Sequence, residues 1–293
     1  MEINIKPGKY VVAVSGGVDS IVLLDLLSRN NDLRLVVAHY DHGIRNNSAD
    51  DRLLVERVAK KHKLPFYYHE GNLGPKTNEA TARTKRYDFL NDIKEKTKSI
   101  SIITAHHQDD LVETAIINLL RGTNRHGLSS MYSEEIIRPL LAYEKQDLMH
   151  YATAHNLIWN EDSTNKDSKY LRNYIRKEIT PKLSEKERIN LLGIIIESKE
   201  SNKQIDKLLN NLILANSKND KISRAWFIGL PHNIAREVMS TWLRQQGITF
   251  DKTTIESLVI AAKTLTSGKS RDVDKAHKLR VQGDYLALLS SER

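Results

Sequence analysis

Cysteine is absent from all 293 residues. Its absence excludes disulfides, thiolate-bound zinc, iron–sulfur clusters and a cysteine nucleophile. Aromatic side chains are scarce at 6%, so base stacking cannot be spread over a broad aromatic platform. No apolar run approaches the roughly 18 residues of a membrane span. The first residues, Met1-Glu2-Ile3-Asn4-Ile5-Lys6, lack the charged-then-apolar layout of a signal peptide, and a cytoplasmic location is the expectation. Internal repeats and low-complexity tracts are missing too. Acidic groups are outnumbered, 37 against 45 lysines and arginines, which leaves a net charge of +8. That excess suits a polyanionic partner such as nucleic acid, although charge by itself fits a merely soluble basic surface equally well.

What is present is a regular change of hydrophobic period. Residues 9–14 read as a buried strand, 20–29 as a helix and 33–39 as a second strand. Helical spacing over 47–63, an apolar 64–68, a helical 79–96, an apolar 100–105 and a helical 109–120 continue the alternation. Strands alternating with helices predict an α/β fold on a doubly wound, mainly parallel sheet, whose ligands sit at the carboxyl ends of the strands. Beyond about residue 185 long helical patterns take over. Pro231 is placed to start a helix that ends near Gly247, Asp251 to cap another, and residues 278–289 to form a hairpin turning at Gly283-Asp284. The expected organisation is an α/β domain over 1–184 and a smaller, mostly helical domain over 185–293 that ends in the hairpin.

The chemistry-bearing residues follow the strands. After the first comes Ser15-Gly16-Gly17-Val18-Asp19-Ser20. It lacks the Lys-Ser/Thr pair of a Walker loop and the spacing of a dinucleotide fingerprint. Its glycines nonetheless let the backbone approach an anion, and the following helix offers N–H groups and a positive dipole end. Asp19 beside a phosphate makes sense if Mg2+ lies between them; the plain alternative is a tight turn with an N-capping Asp. After the second strand, His39-Tyr40-Asp41-His42-Gly43-Ile44-Arg45 carries too many polar groups for packing. Contacts to nucleotide and substrate suit it better than a metal site, which would be strained on one short loop. On the third helix, Glu79, Arg83 and Arg86 share a face at spacings of four and three, either as a solvated ion-pair face or as arginines aimed at phosphate. After the fourth strand, His106, Asp110 and Glu113 share the face of a starting helix, where two carboxylates can hold an ammonium group or magnesium. Arg121 lies in an Arg-Gly loop, and Arg172 and Arg176 stand one helical turn apart in Tyr170-Leu171-Arg172-Asn173-Tyr174-Ile175-Arg176.

These motifs, in this order, resemble the tRNA(Ile)-lysidine synthetase family of N-type ATP pyrophosphatases. The resemblance covers about residues 10–180 and continues more weakly to the end, in the manner of the family's short form. It implies an adenine nucleotide alpha hydrolase-like fold and a ligase that joins free L-lysine to the wobble cytidine of CAU-anticodon tRNA(Ile), through an adenylated cytidine, with ATP converted to AMP and pyrophosphate. By the same resemblance Ser15, Gly16, Gly17, Val18, Asp19, Ser20 and His39 would bind ATP, with Asp19 towards Mg2+. His106, Asp110 and Glu113 would bind lysine, and Asp41, Arg83, Asp110 and Glu113 would serve the chemistry. Arg45, Arg86, Arg121, Arg172 and Arg176 would hold the tRNA or close the site. The lack of cysteine argues against the superfamily's thiolases. An amidating enzyme like NAD synthetase and a non-catalytic tRNA-binding relative stay open as alternatives, as does a homodimer.

Overall fold

The computed structural model describes residues 1–43, 48–71, 74, 77, 79–132, 135–161 and 171–290. The chain divides into two compact units, Met1–Lys199 and Glu200–Arg293.

The first unit is built on a five-stranded sheet. Its strands are β1 (Gly8–Ala13), β2 (Leu33–Asp41), β3 (Phe66–Glu70), β4 (Ser101–Ile103) and β5 (Ile136–Ile137), in the order β3-β2-β1-β4-β5 and all parallel. Parallel strands covered on both faces read as near-continuous apolar runs, as Tyr10-Val11-Val12 and Val36-Val37-Ala38 do, all of them buried. Helices α1 (Val18–Ser28), α2 (Ser48–Lys61), α3 (Glu79–Thr97) and α4 (Gln108–Leu120) supply the crossovers. The chain leaves β1 in one direction for β2 and β3 and in the other for β4 and β5. The crevice of this fold class therefore opens where β1 and β4 end side by side.

Helix α1 is apolar on nearly every face because it lies between the sheet and helix α6 (Lys145–Ala154). Its one buried charge, Asp25, is matched by the Tyr151 hydroxyl and by Arg29, each at 2.8 Å. Leu23, Leu24 and Leu27 are fully buried and stabilise the packing by roughly 2 kcal/mol each. Past the short helix α5 (Arg125–Leu128), β5 and α6 come α7 (Leu171–Tyr174) and a π-type turn over Ile175–Ile179. The long helix α8 (Glu185–Ala215) begins at a capping box in which Ser184 and Glu187 exchange hydrogen bonds. The expected boundary at 184/185 is the start of this helix, whereas the units divide after Lys199. Leu191, Leu192 and Ile195 explain the difference, since they pack on Leu111, Ala115, Met131 and Leu141 of the first unit.

The second unit contains α9 (Arg224–Gly229), α10 (His232–Gln245) and α11 (Lys252–Thr264) with an antiparallel sheet. Pro231 does precede α10, and the Asp251 carboxylate caps α11 by accepting from Thr254 N–H at 2.7 Å. The hairpin is present as β9 (His277–Gln282) and β10 (Tyr285–Ser290). It belongs to a five-stranded sheet with β6 (Ser217–Lys218), β7 (Lys221–Ser223) and β8 (Ser270–Asp272), in the order β6-β7-β10-β9-β8. Trp242, Phe227, Leu258, Leu279 and Leu286 form its core. No helix among the described residues is long and apolar enough to cross a membrane.

Candidate nucleotide site at the ends of β1 and β4

The turn after β1 is held by small groups. Gly16 has φ +96°, and a Cβ there would lie 3.2 Å from both Cβ and Oδ1 of Asp51. Glycine is therefore needed for its conformation and for the close approach. The Ser20 hydroxyl accepts from the N–H groups of Ser15 at 3.1 Å and Gly16 at 3.2 Å and donates to the Gly17 carbonyl at 2.9 Å. Asn160 ties the turn from outside, donating its N–H to Gly16 O at 3.1 Å and its amide to Asp51 Oδ1 at 2.8 Å. Val18 buries its side chain and leaves only backbone to a ligand. Helix α1 then starts with Asp19 in its first turn, so a wrapped loop and a helix N-terminus meet as an anion site.

At the end of β2, His39 Nδ1–H donates to the Val14 carbonyl at 2.8 Å, which makes Nε2 the acceptor nitrogen. Burial lowers this ring's pKa, so it is neutral. Its Nε2 is buried and meets no donor among the described residues. Asp41 accepts from Gly43 N–H at 2.8 Å, and its charge acts on His39.

The end of β4 is charged. His107 caps α4, its N–H donating to Asp110 Oδ2 at 3.1 Å. Its ring stands among three carboxylates: Asp109 Oδ2 at 3.3 Å, Asp110 Oδ2 at 3.4 Å and Asp19 Oδ2 at 3.8 Å. Burial pushes this imidazole's pKa down, but the adjacent Asp109 carboxylate and the charges of Asp110 and Asp19 outweigh it and raise the pKa above its ordinary value. His106 goes the other way. Its burial, aided by the charges of Arg138, Arg86 and Arg83 and opposed by Asp110, drives its pKa down to about 3. Thr104 Oγ1 lies 2.8 Å from its Nδ1.

One turn further along, Glu113 is 1% exposed and forms a bidentate pair with Arg176, Nε to Oε1 at 2.7 Å and Nη2 to Oε2 at 2.8 Å. The same guanidinium reaches Asp110 Oδ1 at 3.3 Å. Burial raises the Glu113 pKa, and Arg176 pulls it back only partly. Arg176 belongs to the π-type turn, a geometry that recurs at functional sites.

Two further cations complete the cluster. Lys145, the first residue of α6, places Nζ 2.6 Å from Asp19 Oδ1 and donates its backbone N–H to Asp109 Oδ2 at 2.8 Å. Arg188 on α8 pairs with Asp109 and with Glu144, and its Nε lies 3.3 Å from Gln108 Oε1. Burial pushes the Asp109 carboxyl up, but His107, the Lys145 N–H and Arg188 together hold it well below the usual carboxylate range. The starts of α1, α4 and α6 thus converge, and their side chains form one network from Asp19 to Glu113.

The sequence candidates divide accordingly. Asp19, His106, Asp110, Glu113 and Arg176 come together. Arg83 and Arg86 stand against Tyr87, with guanidinium carbons 4.8 and 5.4 Å from its ring centre, and their charges act on His106. Arg172 donates to Thr114 Oγ1 at 3.2 Å. Arg121 lies at the opposite end of α4, about 12 Å along the helix beyond Glu113, and is exposed. Arg45 lies outside the described residues, as does Tyr170 of the Tyr170–Arg176 motif. Lys145 and Arg188 were not among the candidates. Each is a single cation on an amphipathic helix, and no local pattern marks it.

Fold and site together define a class: a doubly wound nucleotide-binding domain with a glycine-turn anion cradle and a carboxylate cluster at the switch point. The PP-loop domain family matches residues 2–183, and the chain belongs to that family. It is 39% identical over 193 residues to a tRNA(Ile)-lysidine synthase of Thermotoga maritima, a match covering 62% of this chain and 47% of that one. The chain thus spans about half the length of that relative. It is 29% identical over 295 residues to the tRNA(Ile)-lysidine synthase of Francisella tularensis subsp. holarctica, covering 96% of this chain and 74% of that one. Among solved structures, the U34-tRNA thiolase NcsA of Methanococcus maripaludis shares the fold with a TM-score of 0.55 at 16% identity, over 67% of this chain and 73% of that one. That protein holds a 4Fe–4S cluster, for which this cysteine-free chain has no thiolate ligands.

Proposed function

We propose that this chain ligates free L-lysine to the wobble cytidine of a CAU-anticodon tRNA(Ile); its relatives from Thermotoga and Francisella are named tRNA(Ile)-lysidine synthases. The supporting observation is a pair of carboxylates, half-buried Asp110 and buried Glu113, that already holds a cationic head (the Arg176 guanidinium) beside an anion cradle. ATP lies with its phosphates on the Ser15–Ser20 turn, and the neutral His39 offers Nε2 to a donor of the nucleotide. The cytidine ring oxygen attacks the α-phosphorus and pyrophosphate leaves. Arg83 and Arg86 face the charge that develops. Lysine then places its ε-ammonium on Asp110 and Glu113 in exchange for Arg176. Glu113, its proton affinity raised by burial, takes the proton the amine must lose before attack, and AMP departs.

Among the described residues no group of three or more His, Asp or Glu is arranged to hold a metal ion. The residues fit Mg2+ in the mode in which phosphates and water complete the shell, with Asp19 as the protein ligand. Bound there, the ion would neutralise phosphate charge. The basic excess of the chain and its second unit would hold the tRNA.

Incubating a tRNA(Ile) transcript with ATP and radiolabelled lysine tests the reading. ATP-dependent label in the tRNA is expected, with Asp110→Asn and Glu113→Gln raising the KM for lysine more than that for ATP. No label from folded protein that binds ATP would overturn it.

A further inference from the structure

We propose that the rings of Tyr40, His69 and Phe89 form a stacking platform for an unpaired base of the tRNA, a nucleotide flanking the wobble cytidine in the anticodon loop. This rests on the function proposed above and adds a contact to it. Aromatic side chains are few, eleven tyrosines, four phenylalanines and three tryptophans. Even so, Tyr40, Phe66, Tyr67, Tyr68 and Phe89 gather on or beside the edge strand β3. On one side of that strand the ring centres of Tyr40, His69 and Phe89 lie 5.5, 5.7 and 5.8 Å apart. The His69 ring is inclined by 30° to Tyr40 and by 26° to Phe89, so it lies roughly parallel to both.

Packing accounts for only part of this cluster. Phe89 rests against the buried Val36, Ala38 and Leu90, but Tyr40 stands beyond them and His69 is exposed. Among the described residues His69 makes no hydrogen bond or ion pair and meets only these rings. The backbone yields to the arrangement at Gly71, where a Cβ would lie 2.3 Å from Tyr40 Oη and 2.7 Å from its Cζ. The charge of Asp88 acts on Tyr40 and repels a phosphate or carboxylate. A nucleobase fits instead, since bases splayed from single-stranded RNA loops stack on tyrosine, phenylalanine and histidine.

Position selects the base. Ala13 pairs with Ala38 and Ala38 with Tyr67, so Tyr40 and His69, two residues on, lie level with the start of the Ser15–Ser20 turn. Two strand spacings separate β3 from β1, about 10 Å, the rise of about three stacked nucleotides. Arg86 and Arg83 precede Phe89 on α3 by three and six residues. The helix whose arginines face the reacting cytidine therefore also carries part of the platform.

The test is the affinity of the full chain for tRNA(Ile) transcripts. His69→Ala should weaken binding roughly 10-fold, the scale of one lost base stack, and His69→Phe should restore it. An abasic residue at one of the two positions flanking the cytidine should weaken wild-type binding by the same factor and cost His69→Ala nothing further. The KM values for ATP and lysine should not change. Unchanged affinity in His69→Ala, or an equal loss in His69→Phe, would overturn the inference and leave the proposed function standing. Losses that add between His69→Ala and both abasic transcripts would also overturn it, as the signature of edge packing. A raised KM for ATP would do the same by making the stacked ring the adenine of the nucleotide. Failure of the wild-type protein to bind tRNA(Ile) would instead remove the proposed function itself.

Discussion

The two strand ends at the switch point are built by opposite means. The turn after β1 is closed by serine hydroxyls and backbone within six residues, and its one charge, Asp19, faces outward to Lys145. The start of α4 after β4 holds two histidines and three carboxylates, and every one of those carboxylates is balanced by a cation from elsewhere, Arg176 of the π-type turn or Arg188 of α8. A phosphate cradle can be local because backbone N–H groups do the binding. A buried carboxylate cluster cannot, since each charge needs a partner that its own segment does not contain.

The largest effect should come from removing such a partner. Arg176→Met leaves Glu113 buried without its cation and should cost about 3 kcal/mol, the low end for a broken buried pair because Arg176 is partly exposed. Urea unfolding would measure it, and Glu113→Gln added to Arg176→Met should restore part of the loss. Next, Gly16→Ala forces a side chain into a left-handed backbone and against Asp51. It should cost about 2 kcal/mol and weaken ATP binding, read by nucleotide titration, while leaving the Arg176–Glu113 pair intact.

The two histidines at the start of α4 respond to pH in opposite senses. His106 stays neutral in the fold, with its pKa near 3, but takes a proton at about 6.5 when unfolded. Its contribution is complete above that value and falls by about 1.4 kcal/mol for each pH unit below it. His107 has a raised pKa, so its contribution is complete below about 6.5 and is lost as pH rises through the folded value. Urea midpoints across pH should show the acid-side slope flattened by His106→Gln and the alkaline-side loss removed by His107→Gln. The smallest effect belongs to Asn160→Ala. It removes an amide from Asp51 Oδ1 at a cost of about 1 kcal/mol, and a much larger loss of stability would mean that the β1 turn is less self-contained than its hydrogen bonds indicate.

This contrast also explains what could be read from sequence. The strand–helix alternation, the glycine turn, the Asp251 cap and the closing hairpin all depend on neighbours within a few residues, and the structure has them where the sequence places them. The short polar strands β6, β7 and β8 carry no periodicity to detect. β7 and β8 exist because β10 and β9 offer edges to pair with, and β6 pairs in turn with β7. Lys145 and Arg188 escape notice for the same reason, as each is defined by a carboxylate far away in the chain. Arg121 stands apart from that cluster, exposed at the C-terminal end of α4.

His107 has a consequence beyond either strand end. Its ring touches Asp19 on the phosphate side and Asp109 and Asp110 on the carboxylate side, so one proton is common property of both. Any anion arriving near Asp19 changes how tightly that proton is held. By reciprocity the proton changes how tightly the anion is held, in equal measure. The two halves of the crevice thus share one imidazole, at which the charge of either side is felt by the other.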